Sequence, residues 1–210
     1  MPRARIGCTQ RVEDLPARSE RRDALDQRWS NLASRAGWTL VPIPNTLADP
    51  VAYVEGLELD LVVFSGGNDL ASVPGAVGAA PERDATEARL LDHLRAQRRP
   101  ALGVCRGLQL MNERAGGELV RVEGHAGTTH GIAVRDDRWP LRRGPVRSFH
   151  DWGVTEAGLG GLVALALADD GTVEAACDPV LPHVAVMWHP ERAPEDEADL
   201  ALIDALLESR

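Results

Sequence analysis

A change of hydrophobic pattern near residue 117 constrains the fold of this chain most. Before it, short apolar runs at 4–8, 38–43, 60–64 and 100–104 alternate with stretches of helical spacing at 20–36, 49–56, 83–98 and 107–115. After it, strand-like runs follow one another at 118–122, 130–135, 145–149, 162–168, 172–177 and 183–188, and an amphipathic helix closes at 195–208. Strands separated by helices pair in parallel, because each crossover returns the chain to the same edge. Strands joined by short turns pair antiparallel. The expected fold is therefore α/β: a mostly parallel central sheet flanked by helices, with a small antiparallel β extension. No repeat or low-complexity linker interrupts residues 1–210, which read as a single domain.

Within that frame, Ala24, Leu25, Trp29, Leu32, Ala33 and Ala36 share one face of a helix over 20–36, stopped by Gly37. The helix at 83–98 is charged, with Ala88, Leu91 and Leu94 inward. Residues 72–80 are small and Gly/Pro-rich, and read as a loop.

Charge narrows the function classes. The 23 basic residues are all arginine, against 32 acidic ones, for a formal charge of −9. Without lysine there is no Schiff base, pyridoxal phosphate anchor or Walker-type phosphate site. The acidic balance argues against nucleic acid as a partner. No apolar run reaches the roughly 18–20 residues of a membrane span, and the N-terminus lacks an apolar signal region. Three cysteines without CxxC spacing suit a reducing compartment, so the expected location is cytoplasmic.

In α/β sheets of this kind, sites gather where parallel strands end, and three turns stand out there. Gly103-Val104-Cys105-Arg106-Gly107 follows a buried strand and opens a helix, the layout of a nucleophile elbow. The helix N-terminus behind it supplies free N–H groups and partial positive charge, both of which favour thiolate. Trp188-His189-Pro190-Glu191 ends a second apolar strand. In extended chain Glu191 faces the same way as His189 and can orient its imidazole. Ser65-Gly66-Gly67-Asn68-Asp69 ends a third, and its glycines let backbone N–H groups approach a ligand.

The chain resembles the class I (triad) glutamine amidotransferases, in their γ-glutamyl hydrolase (peptidase C26-like) branch. The resemblance rests on SGGND at 65–69, GVCRGLQLMN at 103–112, VRSFHD at 146–151, DGTVEA at 170–175 and MWHPER at 187–192, and extends over residues 4–206. It implies a flavodoxin-like three-layer fold. It also implies Cys105 as nucleophile, His189 as general base and acid, and Glu191 as the carboxylate orienting it. Backbone N–H groups near Gly67 and of Arg106 would form the oxyanion hole. Gly66, Asn68, Gln109 and Ser148-Phe149-His150 would hold the glutamyl group, partly through the backbone of 148–149. The reaction it implies is hydrolysis of a γ-glutamyl amide through a thioester, releasing glutamate, with no metal and no organic cofactor. Many members carry His or Gln after SFH; this chain has Asp151-Trp152, which places its difference in the leaving-group pocket.

A sharper resemblance is to the γ-glutamyl-CDP-amidate hydrolases of capsule phosphoramidate synthesis, through GCTQR at 7–11, SGGNDL at 65–70, GVCRGLQ at 103–109, GHAG at 124–127, SFH at 148–150 and MWHPER. It implies a small, nucleotide-linked γ-glutamyl substrate, with Arg11, Arg106 and Arg192 as candidates for its phosphates. The alternatives are a glutaminase subunit delivering ammonia to a synthetase partner, and a hydrolase of γ-glutamyl amines of the γ-glutamyl-GABA type. Sequence does not set the oligomeric state. His93 reads as solvated and His183 as structural. His125 and His130 read as a substrate-pocket loop, since two histidines without a nearby cysteine make a weak metal motif. Cys8 and Cys177 read as core residues.

Overall fold

The computed structural model describes residues 3–193 and 197–209. Eight strands form the main sheet: β1 (Arg5–Thr9), β2 (Thr39–Ile43), β3 (Leu61–Phe64), β4 (Ala101–Val104), β5 (Ile132–Val134), β6 (Val163–Ala168), β7 (Val173–Cys177) and β8 (His183–Val186). Their order is β2-β1-β3-β4-β8-β7-β6-β5. The first five in this order are mutually parallel; β7, β6 and β5 continue the sheet antiparallel. The expected class and its antiparallel extension are both present.

The helices are α1 (Gln27–Ala36), α2 (Pro50–Gly56), α3 (Pro81–Ala96), α4 (Arg106–Arg114) and α5 (Glu197–Glu208). Side chains alternate across the sheet, so each strand feeds two cores. Leu61, Val63, Leu102, Val104, Val184 and Val186 pack with Trp29 and Leu32 of α1 and Ile203 and Leu206 of α5. Val62, Phe64, Ala101 and Ala185 pack with Val54 of α2, Leu90 and Leu94 of α3 and Leu108 of α4. That is a three-layer sandwich. Each fully buried aliphatic side chain contributes about 1.5–3 kcal/mol before conformational entropy is counted.

The helix expected over 20–36 is shorter. Glu20–Ala24 is a strand paired antiparallel with Arg11–Leu15, and α1 starts at Gln27. The Asp26 carboxylate accepts from the Arg28 N–H at 3.0 Å and caps the helix there. Ala24 and Leu25 have helical spacing relative to Trp29, but the strand pairing and the cap override it. On α3, the inward face also carries Arg83 and Glu87, both fully buried, beside the apolar side chains that its spacing predicts. The run at 130–135 divides: His130 ends a ribbon strand, Ala126–His130, paired with Val146–Phe149, while Ile132–Val134 joins the main sheet. Residues 195 and 196 of the expected last helix lie outside the described residues. Among the described residues no helix is long and apolar enough to cross a membrane.

Candidate active site

β3, β4 and β8 run in parallel, so Ser65, Cys105 and Met187 leave the sheet along one edge. This is the structural reason the three sequence turns meet. Cys105 takes φ 53° and ψ −104°, a left-handed backbone that non-glycine residues rarely adopt. The elbow is held by its N–H, which donates to the Val186 carbonyl at 2.8 Å, and by close packing behind it. A Cβ on Gly107 would lie 2.2 Å from the Phe64 carbonyl oxygen, so only glycine lets α4 start this close to β3.

His189 reaches back over the elbow. A Cβ on Gly66 would meet His189 Cε1 at 2.7 Å and Cys105 Cβ at 3.4 Å, so both side chains lie against the same side of Gly66. The His189 Nδ1 lies 2.6 Å from Glu191 Oε1, and both side chains are buried. Burial opposes a charged imidazole here, but the Cys105 sulfur and the Glu191 carboxylate outweigh it and lift His189 to about 9.

The Gly66-Gly67 loop is fixed from below by a residue that sequence reading missed. The guanidinium of Arg83 donates to the carbonyls of Ser65 (2.5 Å), Gly66 (3.1 Å) and Gly67 (3.3 Å). Three successive carbonyls drawn to one cation hold the loop in a single conformation. Burial brings Arg83 itself down to about 10, still charged at neutral pH. Its Nε bonds Glu87 at 2.9 Å, and Glu87 and Asp84 also take Arg106. For Glu87, burial raises the carboxyl, but Arg106 and Arg83 together bring it below its ordinary value. A charged pair at helical spacing (Arg83, Glu87) was the available sequence signal; an acidic helix face hid it.

Two cavities meet at Phe149. One, of about 420 Å³, is lined by Cys105, Gly67, Arg11, Gln109, Asp151 and Trp152 among others. The other, of about 510 Å³, is lined by Arg28, Arg142, Arg147, Arg192, Trp188 and His189 among others. Phe149 borders both; its ring meets His189 edge-on at 6.0 Å and lies under the guanidiniums of Arg192 (4.3 Å) and Arg147 (5.1 Å).

The remaining expected residues divide. Arg11 lines the first cavity and Arg192 the second, both with partly exposed side chains. The side chain of Arg106 is buried against Asp84 and Glu87, so it is not available to a substrate phosphate and only its backbone faces the elbow. The Asn68 amide is spent on Val12 (2.8 and 2.9 Å) and Gly78 (2.8 Å). Gln109 lines the first cavity but donates its Nε2 to the Trp152 carbonyl at 2.8 Å. Ser148 points into the protein and is fully buried, because strand alternation gives the outward position to Phe149. His150 borders the first cavity but turns towards Glu174, 3.6 Å away. Arg28, Arg142 and Arg147 were not singled out from sequence. In an all-arginine chain, position alone does not separate a binding cation from a surface one.

The remaining histidines and cysteines follow their expected places in part. His183 is buried with Nε2 3.0 Å from the Arg99 carbonyl, and His93 is partly covered with Nε2 2.8 Å from Glu55 rather than free in solvent. Cys8 and Cys177 are buried in strands, and burial pushes the Cys8 thiol well above its ordinary value.

The chain is similar to known proteins over most of its length. The chain is 29% identical over 188 residues to the γ-glutamyl-CDP-amidate hydrolase of Campylobacter jejuni, covering 89% of this chain and 90% of that one. It is 32% identical over 202 residues to a protein of Mycobacterium tuberculosis described as a glutamine amidotransferase, covering 83% of this chain and 63% of that one. Its fold superposes with a TM-score of 0.65 on a glutamine amidotransferase of Thermotoga maritima, at 14% identity, over 98% and 94% of the two chains. The Peptidase C26 family model matches residues 6–191, a span that contains the Gly66-Gly67 loop, the cysteine elbow and the His189–Glu191 pair. The chain belongs to the Peptidase C26 family.

Proposed function

We propose that this protein is a cysteine-dependent hydrolase of a γ-glutamyl amide whose leaving group is a phosphoramidate borne on a nucleotide. The observation that carries the reading is the placement of His189, between Cys105 on one side and the Glu191 carboxylate at 2.6 Å on the other, over a loop of two glycines.

In this reading Cys105 passes its proton to His189 and attacks the γ-carbonyl carbon. The oxyanion that forms meets the N–H groups of Gly67 and Arg106. The Arg106 N–H has no intrahelical partner, because it opens α4. Losing one such donor costs about 3 kcal/mol in comparable sites. His189, held by Glu191, returns the proton to the leaving nitrogen as the C–N bond breaks and a glutamyl thioester remains on Cys105. A water molecule then gives a proton to His189 and its oxygen to the thioester carbon, releasing glutamate and the thiol. The glutamyl group occupies the cavity with Gln109 and Trp152. The leaving group lies on the far side of Phe149, among Arg28, Arg147 and Arg192. Guanidinium groups suit phosphate oxygens through paired N–H donors. The 29% identity to the Campylobacter jejuni hydrolase points the same way.

The experiment is a panel of γ-glutamyl compounds, with released glutamate measured on the purified chain alone. The expected result is turnover of γ-glutamyl phosphoramidates above γ-glutamyl alkylamines and glutamine. Turnover confined to glutamine and dependent on an added synthetase would replace this reading with the ammonia-delivering one.

A further inference from the structure

Beside the first cavity lies a second buried cluster, built from the antiparallel half of the sheet. Glu174 of β7 is fully buried, and neither of its carboxylate oxygens has a hydrogen-bond partner among the described residues. Three imidazoles converge on its Oε1: His125 Nδ1 at 3.4 Å, His150 Nε2 at 3.6 Å and His130 Nε2 at 3.7 Å. None of these three nitrogens makes a hydrogen bond.

The outer nitrogens explain why. His150 Nδ1 lies 2.9 Å from the Trp152 carbonyl, and His130 Nδ1 lies 3.2 Å from the Gly131 carbonyl. A carbonyl only accepts, so each Nδ1 carries the proton. His125 Nε2 lies 2.9 Å from the Asp170 carboxylate and carries its proton for the same reason. In the neutral rings the inner nitrogens are therefore lone pairs, and they face a carboxylate that is itself an acceptor. Acceptors turned towards one another in a buried site require a cation between them. A proton on one ring relieves one contact of the three. The separations also exceed ordinary hydrogen-bond length. They are close to the roughly 3.3 Å that separates two ligands of a tetrahedral zinc ion with bonds of about 2.0–2.1 Å.

We propose that His125 Nδ1, His150 Nε2 and Glu174 Oε1, whose ligand atoms all lie within 4.8 Å of one another, form a binding site for a divalent zinc-class cation. Two imidazole nitrogens and one carboxylate oxygen suit zinc, which takes three protein ligands and one further ligand in many sites. Backbone carbonyls and Asp170 hold the outer nitrogens, as outer-shell partners do in zinc sites, fixing tautomer and ring orientation. His125 precedes the ribbon strand Ala126–His130, His130 ends it, and His150 follows its partner strand Val146–Phe149. A bound ion ties this ribbon to β7 and so holds Phe149, the wall between the two cavities. The role is structural, and no step of the proposed chemistry passes through it. Of the sequence pair His125–His130 only His125 belongs to the site; His150 and Glu174 join it only through the fold.

The test uses the full chain carrying Cys105→Ala, so that no metal is held by the Cys105–His189 pair. Cobalt(II) should give the visible d–d bands of a tetrahedral ion, and zinc should displace it at one ion per chain. Zinc should raise the melting temperature by several degrees. Both effects should vanish in Glu174→Gln and in His150→Ala and persist in His93→Ala. If Glu174→Gln fails to fold, His125→Ala should weaken zinc binding at least tenfold with an unchanged circular dichroism spectrum. A Cys105→Ala chain that binds neither metal in competition with a chromophoric chelator overturns the proposal and leaves a proton-sharing His–Glu cluster. Metal retained by Glu174→Gln but lost on His189→Ala overturns it too, and assigns the ion to the reacting centre.

Discussion

The two halves of the sheet do different work. The parallel half ends in the elbow, the Gly66-Gly67 loop and the His189–Glu191 pair, and beneath it Arg83, Glu87, Arg106 and Asp84 form a buried ionic cluster whose carboxylates all meet guanidinium donors. The antiparallel half, with the ribbon beside it, carries Phe149 and Arg147 of the second cavity's wall, and its buried cluster leaves both Glu174 oxygens without a hydrogen bond. A closed network sets geometry, while an open one has capacity left for something from outside. The comparison implies that changes in the parallel half act on the rate of the chemistry or on stability, and changes in the antiparallel half act on substrate choice.

The sharpest test is at the nucleophile. Cys105→Ala should lower glutamate release by about 10⁴-fold or more while circular dichroism and the melting curve stay close to those of the parent. Residual turnover near the parent level would remove Cys105 from the chemistry. Next in size is the closed cluster. Arg106→Met leaves Glu87 buried with one guanidinium fewer, and should cost about 3–5 kcal/mol in urea unfolding. A loss below about 1 kcal/mol would mean that the network is not what holds the elbow.

A Cβ at Gly66 meets the imidazole directly, so Gly66→Ala should lower kcat by about 100-fold with little change in KM. A change confined to KM would move that loop from the reacting centre to substrate binding. At the second cavity, Arg192→Ala should raise KM for a γ-glutamyl phosphoramidate by about tenfold, and leave that for a γ-glutamyl alkylamine unchanged. Equal loss on both substrates would place the leaving group elsewhere.

The smallest effect is on pH dependence. His189 is raised from 6.5 to about 9 in the folded chain. Its stabilising contribution is therefore fully present below pH 6.5 and is lost as pH rises through about 9. The melting-temperature gap between the parent and His189→Gln should be widest below pH 6.5 and narrow by a few degrees towards pH 9. A gap that widens with pH would reverse the assigned charge state.

Much of the parallel half was legible in the linear chain because its signals are local. A buried strand such as Ala101–Val104, a glycine-flanked cysteine and a helix start lie within a few residues of one another. Where local signals misled, pairing had intervened: Glu20–Ala24 follows its partner strand, not the helical spacing of Ala24 and Leu25. The inward face of α3 was legible only for its apolar side chains, because a buried arginine looks like any other arginine until Ser65, Gly66 and Gly67 are placed above it.

The sequence by itself determined the class of sheet, the three turns at its edge and which residue types stand in them, since these depend on periodicity and on neighbours in the chain. The tertiary structure alone decided which arginine side chains line a cavity and which are buried against carboxylates, that Ser148 faces inward and Phe149 outward, and that His125, His130, His150 and Glu174 meet. Those outcomes depend on contacts between residues far apart in the chain, and on one register of the antiparallel strands, which no local pattern encodes.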